Sequence, residues 1–165
     1  MSSFSRGLYR LRQLRRTLRP HVQPEERADA RRVLGERLYP LFDSMQAADQ
    51  RHCLDVYARL VANGCADSEM LQAALIHDAG KGSIAGARFG VQHRVAYVVL
   101  ERTPGLLKRA ARYNRGLASL QAHDRKTLEL AREYGATDGI IALLREMGSP
   151  TSDRARLLKS VDDES

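Results

Sequence analysis

Apolar residues recur at every third or fourth position through most of this 165-residue chain, and glycine or proline ends nearly every such stretch. This spacing predicts amphipathic helices. No run of alternating β-branched residues is joined to a second run by a hairpin turn, so no strand is predicted. The sequence therefore predicts an all-α fold built from about eight to ten short helices.

The predicted helices are separated by clear stop signals. Pro20 ends the first, the pair Asn63-Gly64 ends the fourth, and Gly135 precedes the last two. Four glycines between residues 79 and 90 predict a loop. Ser68 and Thr137 are the predicted N-caps of their helices. The predicted spans are 4–19, 24–35, 38–45, 47–63, 68–78, 91–102, 104–112, 124–134, 138–147 and 152–163.

Positive charge is concentrated at one end of the chain. The net charge is +7, but residues 1–20 contain six arginines and no acidic residue, so the remaining 145 residues carry only +1. A nucleic-acid-binding domain is expected to spread lysine and arginine over a folded face. The sequence therefore predicts a basic amphipathic helix or arm, residues 1–20, attached to a nearly neutral body.

The role of this basic arm stays open. It is predicted to dock on the body through its leucines, with nucleic acid, an anionic surface or a partner protein as alternative contacts. Organellar transit peptides have a similar composition. The two cysteines imply no disulfide framework, and no apolar run approaches the ~20 residues of a membrane span. We therefore expect no transmembrane segment and a reduced, cytoplasmic location.

A pair of ionisable residues ends one of the apolar helices. The helix around residues 71–76 terminates in His77-Asp78 and continues as Ala79-Gly80-Lys81. Two ionisable side chains at the end of a buried helix are costly unless they are paired or bind a metal. With His52 on an earlier helix, this pattern resembles the HD superfamily of metal-dependent phosphohydrolases. The signature of that superfamily is one histidine, a later His-Asp pair and a distant aspartate.

The distant aspartate is expected in the last predicted helix. Asp162 lies four residues after Leu158 and therefore on the apolar face, whereas Asp163 is turned about 100° away. Asp162 is our choice, with Asp163 as the alternative. The metal ligands implied by the resemblance are His52, His77, Asp78 and Asp162. The resemblance extends over about residues 50–163, and it implies an HD-domain-like helical bundle at 47–165, preceded by a helical lead-in at 21–46.

Two imidazoles and two carboxylates suit a single divalent ion, and they do not select firmly among Mn, Co, Fe, Ni, Zn and Mg. Such a site leaves positions open for water, whose lowered pKa would make it the nucleophile at phosphorus. Lys81, in the glycine-rich loop, is expected to neutralise phosphate charge. The implied activity is hydrolysis of a phosphomonoester or phosphodiester, with a nucleotide as the favoured substrate.

The sequence lacks motifs that some branches of the superfamily carry. Binuclear branches carry a His-His pair where this chain has Leu144-Arg145-Glu146-Met147, and the Gly-Tyr-Pro signature of cyclic-dinucleotide phosphodiesterases is absent. The resemblance therefore implies a mononuclear site. His123 matches an extra histidine of the binuclear relatives. It is a candidate acid, base or phosphate donor, with a surface or capping role as the alternative.

Two other classes of function remain open at this stage. The chain is alternatively a catalytically inert HD-like module that binds metal or nucleotide for regulation, or an adaptor that acts through residues 1–20. The enzyme hypothesis predicts metal-stimulated hydrolysis that depends on Asp78. The adaptor hypothesis predicts that deletion of residues 1–20 removes partner binding and leaves metal content unchanged.

Overall fold

The computed structural model describes residues 21–86 and 115–165. The predicted helices at 4–19, 91–102 and 104–112 lie outside the described residues, as does the basic arm. Within the two described ranges every regular element is helical, so the all-α prediction is confirmed. No helix in these ranges is both long enough and apolar enough to cross a membrane.

The described helices follow the predicted order. They are α1 (Pro24–Asp43), α2 (Ala47–Ala62), α3 (Ser68–Ile76), a 3₁₀ helix (Ala79–Lys81), α4 (Arg115–Glu133), α5 (Asp138–Glu146) and α6 (Asp153–Asp163). The first helix is kinked at Gly35, whose φ of 64° lies in the left-handed region that glycine adopts most easily. The two predicted helices 24–35 and 38–45 correspond to the two halves of α1.

Side-chain caps fix the beginnings of α3, α5 and α6, and at α6 the Ser152 hydroxyl accepts from the Ala155 backbone N–H. The Thr137 hydroxyl accepts a hydrogen bond from the Ile140 backbone N–H at the start of α5, as predicted. The predicted Ser68 cap of α3 is wrong, because the carboxylate of the preceding Asp67 accepts from the Met70 backbone N–H. Helix α4 begins at Arg115, well before the predicted start at residue 124. Its predicted end before Gly135 agrees with the structure.

The helices share one hydrophobic core. Helix α1 packs against α3, which also contacts α2, α5 and α6. Large side chains from all these helices are fully buried: Leu41, Phe42, Leu60, Leu75, Ile76, Ile140 and Leu158. The segment 21–46, which lies outside the HD resemblance, therefore contributes to the same core as the helices that carry the expected metal ligands.

An ion-pair network fixes the position of α6. Arg154 lies 2.7 Å from the Asp67 carboxylate and 3.1 Å from the Glu69 carboxylate, at the start of α3. Glu69 also accepts a hydrogen bond from the Thr137 hydroxyl at the start of α5. These contacts hold the beginning of α6 against α3 and α5, and its last turn then lies beside α2.

The carboxylate of Glu146 caps the turn between α5 and α6. Its Oε2 accepts hydrogen bonds from the backbone N–H groups of Ser152 (2.8 Å) and Thr151 (3.0 Å) and from the Thr151 hydroxyl (2.8 Å). The backbone hydrogen bond from Ser152, reinforced by the Thr151 hydroxyl, lowers the pKa of Glu146 from 4.5 to about 2. The turn that leads into α6 thus depends on an ionised carboxylate.

We expect the wild-type protein to lose thermal stability relative to a Glu146→Gln variant as the pH falls from 4.5 to about 2. The folded state binds this proton more weakly than the unfolded chain, so the contribution is complete above pH 4.5 and is lost as the pH falls through the lower pKa. The measurement is the melting temperature of both proteins over this pH interval. Glu133→Gln, an exposed change at the end of α4, is the control, and parallel curves for wild type and Glu146→Gln would contradict the capping role.

Candidate metal centre

Three residues from distant parts of the chain converge at the junction of α2, α3 and α6. His52 lies on α2, His77 directly follows α3, and Asp162 lies in the last turn of α6. Their nitrogen and oxygen ligand atoms all lie within 4.8 Å of one another. The Nε2 atom of His52 lies 2.8 Å from Asp162 Oδ1, and the Nε2 atom of His77 lies 3.4 Å from the same oxygen.

Helix packing explains this convergence. Helix α2 packs against both α3 and α6, so His52 faces the end of one helix and the last turn of the other. The imidazole rings of His52 and His77 are arranged edge to face, with 5.2 Å between their centroids. The two rings therefore approach Asp162 from different directions.

A backbone hydrogen bond sets the tautomer of His77. Its Nδ1 lies 2.9 Å from the carbonyl oxygen of Ala74, which can only accept, so Nδ1 carries the proton in the neutral ring. Nε2 then presents a lone pair. This atom is buried and has no hydrogen-bond partner among the described residues. A buried lone pair that faces a carboxylate oxygen is repulsive unless a proton or a metal cation lies between them.

The carboxylate of Asp162 is held in its ionised form. Burial by itself would raise its pKa, but the hydrogen bond with His52 and the approach of His77 lower the pKa of Asp162 well below its ordinary value. Asp163, the alternative ligand, is 64% exposed, whereas Asp162 is only 18% exposed. The structure thus brings Asp162 to the two histidines and leaves Asp163 on the outer face of α6.

Asp78 lies beside this group of three. Its Oδ1 is 3.9 Å from His77 Nε2, and its carboxylate forms a 2.8 Å ion pair with the Lys81 ammonium group. Burial disfavours the charged form of Asp78, but Lys81 and the neighbouring histidines lower its pKa well below the ordinary value. Lys81, expected in an open loop, instead ends a short 3₁₀ helix and is already bound to Asp78.

Cys53 belongs to a second possible donor group, with His77 and Asp78. Its Sγ lies 3.7 Å from His77 Nδ1, the nitrogen that already donates to Ala74. Burial also raises the pKa of Cys53, which disfavours the thiolate that metals bind. The group of His52, His77 and Asp162 is therefore the better metal site.

The spacing of the donor atoms suits one small divalent ion. With metal–ligand bonds of about 2.1 Å, octahedral ligand atoms lie about 3.0 Å apart when adjacent and about 4.2 Å apart when opposite. The separations from Asp162 Oδ1 to the two imidazoles are 2.8 and 3.4 Å, and the distance from His77 to Asp78 is 3.9 Å. The distances and the nitrogen–oxygen donor set of His52, His77 and Asp162 fit such an ion, whereas Asp78 does not belong to this group of donor atoms within 4.8 Å of one another.

The residues that carry the candidate ligand atoms line a pocket with a volume of about 360 Å³. One part of its wall is apolar and is formed by Leu144 and Met147, which belong to α5 and the turn after it. The polar part includes Lys81, His123 and Lys159. The pocket therefore combines donor atoms for a metal, cationic side chains and an apolar surface.

His123 reaches the pocket from α4. Its Nε2 lies 3.7 Å from Asp78 Oδ1 and 3.0 Å from Asp124 Oδ1. The predicted site residue His123 therefore lies next to Asp78.

Thr127 and Gly80 hold α4 against the His-Asp turn. The Thr127 hydroxyl donates to the His77 carbonyl oxygen (3.1 Å) and accepts from the Gly80 backbone N–H (2.8 Å). Glycine is required at this contact, because a Cβ at position 80 would lie 2.0 Å from the backbone oxygen of His123. Two segments that both contribute to the pocket are thus joined directly.

Sequence reasoning missed Lys159, Asp124 and Thr127, which also line the pocket. Each has a helical relation to a residue that was singled out. Lys159 precedes Asp162 by three positions, and Thr127 follows His123 by four, which places each on the same helix face as its partner. Asp124 is adjacent to His123 and carries no comparable signal.

Comparison of the chain with protein-family models, curated proteins and solved structures finds no match.

Proposed function

We propose that this protein is a metal-dependent phosphohydrolase of the HD type, which hydrolyses a small phosphorylated molecule, with a nucleotide as the favoured substrate. The observation that supports this most directly is the buried Nε2 atom of His77, which has no hydrogen-bond partner among the described residues and faces the Asp162 carboxylate. A lone pair in that position is the expected environment of a metal ligand.

Four side chains are proposed to hold a single divalent ion: His52, His77, Asp78 and Asp162. When bound, such an ion supplies the acidity that makes water a nucleophile near neutral pH and the charge that polarises a phosphoryl oxygen. The Ala74 carbonyl keeps the His77 ring in the required tautomer through Nδ1. Lys159 contacts the second oxygen of Asp162, which leaves Oδ1 directed at the histidines.

Other groups of the chain then act on the substrate. Lys81 is proposed to share its charge between Asp78 and a phosphoryl oxygen. His123 is proposed to carry a proton at Nε2, where the Asp124 carboxylate lies 3.0 Å away, and to pass it to the leaving group. Leu144 and Met147 provide an apolar surface on which a nucleobase can pack and which excludes water.

The size of the pocket favours a small substrate. Pockets that enclose small molecules span roughly 300 to 1,000 Å³, and this pocket, at about 360 Å³, lies near the lower limit. A mononucleotide is closer to this size than a polynucleotide is. The proposed substrate is therefore a small molecule with a phosphate at one end.

We expect Mn²⁺ or Co²⁺ to stimulate release of inorganic phosphate or nucleoside from members of a nucleotide panel, and Asp78→Ala to lower the rate at least about 100-fold. Loss of this carboxylate removes a proposed ligand and the partner of Lys81. Asp138→Ala, an exposed change in the first turn of α5, is the control and should retain full activity.

The alternatives give different results in the same assays. A protein that binds the metal and hydrolyses no member of the panel is a regulatory binding module. A protein whose partner binding is lost on deletion of residues 1–20, with metal content unchanged, is an adaptor. Hydrolysis that persists in excess chelator would contradict the proposed mechanism.

A further inference from the structure

Lys159 lines the pocket as well as contacting Asp162, and the proposed reaction assigns it no contact with the substrate. It lies on α6, one turn before Asp162, and its ammonium nitrogen is 3.5 Å from Asp162 Oδ2. Its second partner is the carboxylate of Asp163. The side chain is 31% exposed and lines the same pocket as the candidate metal ligands. An ammonium group is thus held beside the donor atoms and remains accessible from the pocket.

The two lysines of the pocket are arranged in the same way around His77. On one side, His77 Nε2 faces Asp78, which binds Lys81, and on the other it faces Asp162, which lies next to Lys159. The carboxylates of Asp78 and Asp162 therefore each lie close to the candidate metal site and also close to a lysine. The lysines reach the pocket from different parts of the fold, the 3₁₀ helix and α6.

The charge of the pocket depends on whether a cation is bound. Three aspartates line the pocket beside its two lysines. A bound divalent cation would add two positive charges to this lining. An anionic ligand is therefore attracted more strongly to the pocket that holds the ion.

We propose that Lys159, together with Lys81, forms an anion subsite that binds the terminal oxygens of a phosphomonoester dianion, and that a bound metal ion strengthens this binding. This inference rests on the metal centre of the proposed function and narrows its substrate class from phosphate esters in general to monoesters. A monoester phosphate presents three terminal oxygens and a charge of about −2 above its second pKa. A diester has one fewer terminal oxygen and a single charge, so it cannot engage two lysines and the metal equally well.

The test is calorimetric titration of the full chain, loaded with Mn²⁺, with inorganic phosphate at a pH of about 8, where the dianion predominates. We expect Lys159→Met to weaken phosphate binding about tenfold or more, which is the usual effect of losing a charged hydrogen-bond donor. Lys159→Arg should retain most of the affinity, because it keeps the positive charge.

Lys126→Met is the matched control. Lys126 is paired with Glu129 on α4 and does not line the pocket, so the same substitution there should leave phosphate affinity unchanged. Wild-type protein without Mn²⁺ should bind phosphate at least about tenfold more weakly than the loaded protein. Methyl phosphate should bind the loaded protein more tightly than dimethyl phosphate does.

Several results would overturn the inference while leaving the metal centre intact. One is wild-type phosphate affinity in Lys159→Met. Another is a Lys159→Met variant that binds Mn²⁺ more weakly but binds phosphate normally once it is loaded with Mn²⁺. Lys159 would then only orient Asp162. Equal affinity for methyl and dimethyl phosphate would contradict the monoester class. Failure of the wild-type protein to bind Mn²⁺ would instead reject the proposed function, and with it the subsite.

Discussion

Asp162→Asn is expected to weaken divalent-cation binding at least about 100-fold. Asp162 Oδ1 lies 2.8 Å from His52 Nε2 and 3.4 Å from His77 Nε2, so it is close to both histidine ligand atoms. Asparagine keeps the shape of the side chain but removes the negative charge that a divalent ion needs. The measurement is calorimetric titration with Mn²⁺, together with elemental analysis of the dialysed protein.

Asp163→Asn is a closely matched control. It makes the same chemical change on the next residue of the same helix, but Asp163 is 64% exposed and contacts Lys159. We expect this variant to bind Mn²⁺ as the wild-type protein does. Equal loss of metal in both variants would indicate a general effect on the last turn of α6, and full metal content in Asp162→Asn would contradict the site.

Gly80→Ala is expected to destabilise the fold by about 3 kcal/mol or more, at the upper end of the cost of overpacking. The added Cβ would lie 2.0 Å from the His123 backbone oxygen and 2.9 Å from the Thr127 backbone nitrogen. Backbone atoms of a helix cannot move aside as a flexible side chain can. Helix α4 must therefore shift, which also breaks the Thr127 hydrogen bonds to Gly80 and His77.

The free energy of unfolding in urea measures this effect. Gly148→Ala is the control, because a Cβ at Gly148 meets no atom within 4 Å in the described part of the chain, and φ there is not positive. It should change stability by less than about 1 kcal/mol. A Gly80→Ala variant as stable as Gly148→Ala would show that α4 does not approach the His-Asp turn so closely.

Helix boundaries were predictable where a local signal decides them. Gly35 and Gly64 adopt positive φ, and Thr137 caps α5, as expected for these residue types. At the start of α3 the sequence offers two adjacent capping residues, Asp67 and Ser68, and only the backbone geometry decides which one accepts the hydrogen bond. Local chemistry alone does not resolve that choice.

The start of α4 shows another limit of sequence reasoning. Residues 115–123 include a glycine and a serine, which lower helix propensity, so the apolar pattern predicts a helix only from about residue 124. Helix stability in proteins depends mainly on tertiary packing, which the local pattern does not contain.

The sequence predicted that His52, His77 and Asp162 would meet, but it did not predict what surrounds them. Helical spacing placed Asp162 on the apolar face of α6, and the structure brings it to His52 and His77. The ion pair of Lys81 with Asp78 depends on the three-dimensional course of the turn, so the loop pattern did not predict it. The pairing of His123 with Asp124 likewise depends on how the ring is turned, which sequence spacing does not specify.

The contact between His52 and Asp162 joins residues that are 110 positions apart in the chain. Bringing such distant segments together carries an entropy cost in the unfolded chain, and a metal ion can bind all its ligands only after that cost has been met. Ligand binding to the folded state alone raises stability with ligand concentration. The concentration of the proposed cation would therefore set the stability of the folded chain as well as support the proposed activity.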